Sequence, residues 1–225
     1  MYLKDFLINN QSAYYPILGN KFDYSQSVEL DFTEKNTEII EMDLTNTNEF
    51  SKYVFDKIEK EGATFGIGGY LENRAIYRRS EHFNSGEEPR TFHLGVDIWL
   101  GAGSSIYAPL SGKVHSYANN NNFGDYGPTI ILEHAIEGYR FYTLYGHLSL
   151  QSIDNLSVGK YYEAGESLAH IGDYPENGDW PPHLHFQIIE EIGDYWGDYP
   201  GVCRKSEREF YAANCPDPNL ILGIV

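Results

Sequence analysis

Five side chains of the 225-residue sequence stand at spacings that suit a metal site with two imidazoles beside it. His93 and Asp97 are separated by three residues where a strand is predicted to begin, and one residue separates His183 from His185 at the start of another. Side chains at positions i and i+2 of a strand point to the same face, about 7 Å apart, so two imidazoles can face one cavity. His147 comes at the predicted end of a further strand, where a loop can present a side chain.

The chemistry that these residue types suggest is metal-assisted hydrolysis. Zinc accepts imidazole nitrogen and carboxylate oxygen at about 2.0–2.2 Å, so two histidines and one aspartate give three ligands and leave a fourth position for water. The metal brings the pKa of that water toward about 7, and two unligated histidines can supply a proton acceptor and an oxyanion stabiliser. An isolated His-x-His or His-x3-Asp pair is more often structural, so the spacing alone leaves both interpretations open.

The other four histidines are interpreted as structural. His134 and His170 stand in apolar strand contexts, where a backbone hydrogen-bond partner is expected. His115 follows a predicted turn, and His82 lies in a charged loop.

The elements that must position these side chains are predicted to be strands. From about residue 90, short apolar or alternating runs are separated by glycine and proline, as at residues 129–133, 140–145 and 185–189. Closely spaced strands with no helical pattern between them indicate antiparallel sheets packed as a sandwich or barrel.

Residues 1–65 are predicted to form an N-terminal elaboration that packs on this core. The clearest helix signal within them places Phe50, Val54 and Ile58 at helical spacing, with Gly62 as the predicted end.

Composition excludes several classes of protein. With 16 Lys and Arg against 33 Asp and Glu, the net charge is −17, which disfavours binding to nucleic acid or to anionic lipid surfaces. No apolar run reaches the roughly 18 residues of a membrane span, and the first residues lack the layout of a signal peptide. We therefore expect a cytoplasmic protein, with export by another route left open. In a reducing compartment Cys203 and Cys215 are expected to be free thiols.

A series of motifs between His93 and Ile189 resembles the lysostaphin-like zinc metallopeptidases, also described as LytM-type or beta-lytic endopeptidases. The motifs are His93-Leu94-Gly95-Val96-Asp97-Ile98, residues 106–114, residues 130–134, Tyr145-Gly146-His147-Leu148, residues 158–172 and Pro182-His183-Leu184-His185-Phe186. The resemblance implies a mainly β fold, an antiparallel β-sandwich of hairpins with a duplicated hybrid motif, preceded by an α/β elaboration. We expect the peptidase domain to span residues 66–200 and a C-terminal extension to span residues 201–225.

The resemblance also implies a role for each of the five side chains. His93, Asp97 and His185 correspond to the ligands of one zinc ion, and His147 and His183 to the catalytic pair. The implied function is a zinc metalloendopeptidase, a hydrolase of peptide or amide bonds that uses a zinc-bound water activated by histidine. Which histidine acts as the base stays open.

Three shorter stretches are similar to a narrower group of lysostaphin-like modules, found in cytosolic proteins between a kinase-like domain and a class III aminotransferase domain. They are residues 70–77, 90–93 and 180–183. This similarity implies a small intracellular peptide-like or amide substrate, whereas the wider family cuts glycine-containing peptides of peptidoglycan.

Four residues are candidates for substrate contact. Glu72 and Arg74 are expected to meet a charged substrate terminus, with an ordinary ion pair as the alternative. Tyr145 and Trp180 are expected to wall the cleft, with core packing as the alternative.

Two other functions compete with hydrolysis. A catalytically silent, metal-containing binding or regulatory module of the same fold would keep the ligands without turnover. A lipoyl- or biotinyl-type carrier would need a lysine at a hairpin tip, whereas Lys113 follows a turn glycine and enters a strand, which disfavours this function. The oligomeric state is not predicted.

Overall fold

The computed structural model describes residues 2–20, 22–84, 86 and 88–224. Twelve strands lie within these residues: β1 Ser27–Glu29, β2 Phe65–Gly68, β3 Phe92–His93, β4 Val96–Trp99, β5 Ser105–Tyr107, β6 Gly112–Asn120, β7 Gly127–Ile136, β8 Tyr139–Gly146, β9 Tyr161–Tyr162, β10 Ser167–His170, β11 His183–Ile189 and β12 Val202–Cys203. The described α-helices are α1 Leu3–Asn10, α2 Thr37–Glu41, α3 Thr47–Lys60, α4 Arg208–Asn214 and α5 Asn219–Leu222. Short 3₁₀ helices span Gln11–Ala13, Tyr24–Gln26, Ala75–Arg79, Leu150–Ser152 and Lys205–Glu207.

One eight-stranded sheet organises the molecule, in the order β1-β2-β4-β11-β8-β7-β6-β9. Every neighbouring pair in it is antiparallel except β1 and β2 at one edge. Two small antiparallel sheets, β5 with β10 and β3 with β12, accompany it. The prediction of a mainly β, antiparallel fold is confirmed, and the parallel β1 belongs to the N-terminal segment.

Strand β11 divides its side chains between the core and the candidate site. Leu184, Phe186 and Ile188 are buried in the largest apolar cluster. His183 and His185 occupy the alternate positions and therefore point to the opposite face of the sheet. The alternation that builds the core thus also brings the two imidazoles onto one face.

Helix α3 supports the site from the N-terminal side. Its first turn is capped by Asn46, whose side chain accepts the amide of Glu49, and Phe50, Val54 and Ile58 are buried along one face. Gly62 adopts a left-handed φ of 66° just beyond the last turn. The predicted helix and its end are confirmed.

Trp99 connects this N-terminal packing to the site. The Trp99 ring lies 6.1 Å from that of Phe50 and 5.1 Å from that of Phe32. On its other side it stacks on the His183 imidazole, with ring centroids 4.0 Å apart and planes inclined by 16°.

Cys203 and Cys215 are buried free thiols, as predicted. Among the described residues, no helix combines the length and the apolarity that crossing a membrane requires.

Candidate metal centre and catalytic histidines

The register of the central strands brings the predicted ligands together. In the β4–β11 ladder His185 is paired directly with Asp97, and on the other side of β11 it is paired with Gly146 of β8. His93 ends the short strand β3, three residues before β4 begins. His147 follows the last residue of β8 and has a φ of 60°.

Three ligand atoms converge at one point. His93 Nε2 lies 2.9 Å from His185 Nδ1, and Asp97 Oδ1 lies 3.2 Å from the first nitrogen and 3.1 Å from the second. All three side chains are buried, and their donor set can hold a metal ion.

The far nitrogen of each ligand imidazole is bonded to an oxygen that can only accept. His93 Nδ1 donates to the carbonyl of Gly69 at 2.9 Å, and His185 Nε2 donates to Gln187 Oε1 at 2.9 Å. The Gln187 amide nitrogen is bonded to Pro200 O at 3.1 Å, which fixes the amide oxygen toward His185. The nitrogens that face each other therefore both carry lone pairs, and a cation between them relieves their repulsion.

Gly95 leaves room for the imidazole of His185, the candidate ligand on β11. A Cβ placed on Gly95 would lie 2.5–2.6 Å from two atoms of the His185 imidazole and 2.7 Å from the carbonyl of Phe186. These distances are below any normal contact, so position 95 has to lack a side chain for His185 to reach the site.

His147 and His183 lie side by side next to the ligands. Their ring centroids are 4.1 Å apart, and His183 Nε2 is 4.0 Å from Asp97 Oδ2. His147 Nδ1 donates to Asn177 O and His183 Nδ1 to Pro181 O, each at 2.8 Å. Each ring is therefore oriented by a backbone carbonyl, which leaves Nε2 free to accept a proton.

Burial keeps the imidazoles of His93, His147 and His183 neutral. It lowers the pKa of His183 to about 4, and burial together with neighbouring His183 lowers that of His147 well below its usual value. Burial and the nearby Arg74 guanidinium lower the pKa of His93 to about 3. A neutral imidazole can ligate a metal or act as a base at neutral pH.

Asp97 is ionised. Burial alone would raise its pKa, but electrostatic interactions with the His93 imidazole, the Arg74 guanidinium and the His183 imidazole together hold that pKa well below the usual range. The site thus presents one carboxylate beside three imidazoles, of His93, His147 and His183, whose pKa values are lowered.

A cleft of about 280 Å³ opens beside these groups. Asp97, His147, His183 and His185 form part of its lining. Its other lining residues include Tyr77, Phe83, Tyr126, Trp180 and Tyr199. A small ligand in this cleft would contact both histidines and the ligand cluster.

The comparisons with known proteins find a family similarity in the region that carries these residues. The sequence model of peptidase family M23 matches residues 91–195, which contain all five predicted site residues. This region of the chain is therefore similar to the M23 peptidases. No curated protein matches the chain significantly in sequence.

Several solved structures resemble the chain. The catalytic domain of lysostaphin from Staphylococcus simulans is 25% identical, with 54% of this chain and 80% of that chain covered and a TM-score of 0.37. A zinc-containing peptidase from Vibrio cholerae is 24% identical (44% and 27% covered, TM-score 0.33), and a putative M23 peptidase from Pseudomonas aeruginosa is 20% identical (63% and 48% covered, TM-score 0.39). The chain thus covers about a quarter of the Vibrio cholerae protein and about half of the Pseudomonas aeruginosa protein.

Of the four predicted substrate contacts, only Trp180 and Arg74 line the cleft. Tyr145 is completely buried in the core, where its ring packs against Phe186 at 5.3 Å. Glu72 accepts hydrogen bonds from the amide of Phe32 and from Arg74 and lies outside the cleft lining. Tyr145 thus fits the core-packing alternative, because the register turns it to the core face. Glu72 fits the ion-pair alternative, because Arg74 lies between it and the site.

Arg74 lies behind the candidate metal ligands and has little access to solvent. It is 2% exposed, and its guanidinium contacts Glu72, Asp97, Tyr77 and the Gly69 carbonyl. These contacts occupy the donors that a substrate carboxylate would need.

The candidate site also contains residues that the sequence pattern did not single out. Gln187 lies two positions after His185 on the same strand face, so alternation could have indicated it. Tyr126, whose hydroxyl lies 3.3 Å from His185 Nε2, and Asn177, whose carbonyl orients His147, both come from irregular segments where periodicity carries no signal.

The remaining histidines fall mostly outside the site. His134 donates from Nδ1 to Ser111 O at 2.9 Å, which confirms its predicted backbone partner. His115 contacts the Ser116 hydroxyl, and His170 is exposed. His82, predicted to be structural, lies in the cleft lining.

Proposed function

We propose that this protein is a zinc-dependent hydrolase of peptide or amide bonds. In this proposal His93, Asp97 and His185 hold one zinc ion, and His147 and His183 are the catalytic histidines. The observation that carries it is the convergence of three ligand atoms, 2.9–3.2 Å apart, beside two buried neutral imidazoles. Tetrahedral zinc with bonds of about 2.0–2.1 Å has ligand atoms roughly 3.3–3.4 Å apart, close to these distances.

Zinc bound there supplies a Lewis acid, which polarises a carbonyl oxygen and lowers the pKa of a water molecule. Side chains of the protein itself carry out the proton transfers. Because Nδ1 of both His147 and His183 donates to a carbonyl, Nε2 of each begins as a proton acceptor. One histidine accepts the proton of the attacking water and, once charged, can donate it to the leaving amine.

The second histidine stabilises the developing negative charge of the substrate. It can do so only after its own Nε2 gains a proton, because its Nδ1 hydrogen is used by the backbone. His183 is the nearer of the two to the Asp97 carboxylate, which favours a positive charge on its ring.

The size of the cleft supports a short peptide or amide as the substrate. Its lining includes the aromatic rings of Tyr77, Phe83 and Tyr199, and its volume of about 280 Å³ suits a few small residues. A net charge of −17 also disfavours approach to an anionic polymer. Glycine-containing wall peptides are the second substrate class to be tested.

The test combines metal analysis with hydrolysis of a panel of oligoglycines, dipeptide amides and wall fragments. Wild-type protein is expected to hold one zinc per chain and to cleave at least one short substrate. His147→Ala and His183→Ala should keep the zinc and lose about 10²–10⁴-fold in kcat. His170→Ala, at an exposed histidine outside the site, is the matched control and should behave as wild type.

The ligand assignment is tested separately. Asp97→Ala and His185→Ala should lose the zinc, and stoichiometric zinc in either variant would refute the assignment. Bound zinc with no hydrolysis of any amide would support a binding or regulatory module of the same fold.

A further inference from the structure

Arg74 connects the candidate metal ligands to a second, partly buried carboxylate, that of Glu72. Its Nε donates to Glu72 Oε2 at 2.8 Å, and its Nη1 donates to Asp97 Oδ2 at 2.5 Å. Its Nη2 lies 3.4 Å from the Gly69 carbonyl, the same oxygen that orients His93. One guanidinium therefore touches a metal-ligand candidate directly and shares a backbone acceptor with another.

The sheet provides the space that this guanidinium occupies. Gly68 of β2 is paired with Asp97 of β4, and a Cβ on Gly68 would lie 2.5 Å from Arg74 Nη2. The rings of Phe32 and Tyr77 lie 5.5 Å and 6.0 Å from the guanidinium carbon. Enclosed in this way, Arg74 has few alternative positions.

The two oxygens of Asp97 consequently have different partners. Oδ1 faces His93 and His185 at 3.2 Å and 3.1 Å, whereas Oδ2 is bonded to Arg74. A carboxylate can bind a cation through one oxygen or through both. Here Oδ1 faces the two imidazole nitrogens, while Oδ2 is held by Arg74.

We propose that Arg74 is a positioning residue that keeps Asp97 a one-oxygen ligand. Glu72 balances the charge of Arg74, so that the guanidinium can hold Oδ2 without repelling the cation. The proposal rests on the proposed metal site. Its consequence is that Arg74 sets the number of oxygens around the ion and thereby preserves a position for water or substrate.

The test replaces zinc with cobalt(II), whose visible absorption is intense when four-coordinate and several-fold weaker when five- or six-coordinate. Wild-type protein should show the intense spectrum. Arg74→Met should bind one cobalt per chain with several-fold weaker absorption, because Asp97 can then engage both oxygens. Arg74→Lys should fall between the two, since an ammonium ion pairs with a carboxylate without the fork of a guanidinium. Arg140→Met removes an exposed arginine and is the matched control.

Glu72→Gln gives a second test should Arg74→Met fail to fold. The amide still accepts from Arg74 but no longer balances its charge, so cobalt affinity measured against a chelator should fall about tenfold with the spectrum unchanged. A wild-type spectrum in folded Arg74→Met, or unchanged affinity in Glu72→Gln, overturns the positioning role alone. A wild-type protein that binds no cobalt overturns this role together with the proposed metal site.

Discussion

At the scale of single residues, the candidate site depends on atoms that never touch a substrate. Four oxygen atoms fix which nitrogen of each imidazole carries the hydrogen. They are the backbone carbonyls of Gly69, Asn177 and Pro181 and the side-chain amide oxygen of Gln187. Metal affinity and basicity both follow from that choice, because a ligand or a base needs an unprotonated nitrogen.

Gln187 offers a direct test of this orientation. Gln187→Ala removes the acceptor of the His185 Nε2 hydrogen, and we expect zinc affinity to fall about 10–100-fold in a chelator competition. Gln151→Ala, at an exposed glutamine, should leave the affinity unchanged. An unchanged affinity in folded Gln187→Ala would show that His185 is oriented without it.

His134 gives a pH-dependent prediction away from the metal site. Burial lowers its pKa to about 4, so below about pH 6.5 the unfolded chain binds a proton that the folded chain does not. Stability is therefore lost as the pH falls from about 6.5 toward 4. Between pH 7 and pH 5, wild type should lose about 2 kcal/mol more of its unfolding free energy than His134→Gln. Denaturant titrations of both proteins at the two pH values measure this difference, and equal losses would contradict the prediction.

At the scale of elements, the sequence predicted those features that depend on the local spacing of apolar residues. Helix α3 follows from apolar residues at helical spacing, and the shared face of His183 and His185 follows from alternation along β11. The bond between Arg74 and Asp97 spans 23 residues and depends on how β2 lies beside β4, which no local pattern contains.

Tyr145 shows why strand register limits such predictions. It lies two positions before His147, which would place both on one face of a continuous strand. The strand ends at Gly146, and His147 adopts a φ of 60°, so the alternation stops between them. Tyr145 is paired with Phe186 and points into the core, while His147 turns toward the cleft.

Helix α3 should influence the site through Trp99. Phe50→Ala removes a completely buried ring between α3 and Trp99, and we expect the unfolding free energy to fall by about 3–5 kcal/mol. Loosening of Trp99 should also lower kcat, because Trp99 stacks on His183. Phe210→Ala, at a ring that is 69% exposed, should change stability by no more than about 0.5 kcal/mol. Denaturant unfolding of the two variants tests the prediction, and similar stabilities would contradict it.

At the scale of the whole molecule, charge is the property that acts over the longest distance. The chain carries −17, while the cleft lining holds both signs, with Arg74 and Arg90 opposed by Asp97, Asp125 and Asp198. The positive and negative charges of the cleft lining therefore largely cancel. The surrounding surface then determines the electrostatic potential that an approaching substrate meets.

This potential predicts opposite salt responses for two versions of one cleavable peptide. A peptide with a free amino terminus and an amidated carboxyl terminus is cationic, and its acetylated free acid is anionic. Between about 0.01 M and 1 M salt the Debye length falls from about 30 Å to about 3 Å, which removes the attraction of the first and the repulsion of the second. We expect kcat/KM to fall about tenfold or more for the cationic peptide and to rise for the anionic one. The acetylated amide is neutral and serves as the control for other effects of salt. If all three peptides responded alike, the net charge of the protein would have no part in selecting its substrate.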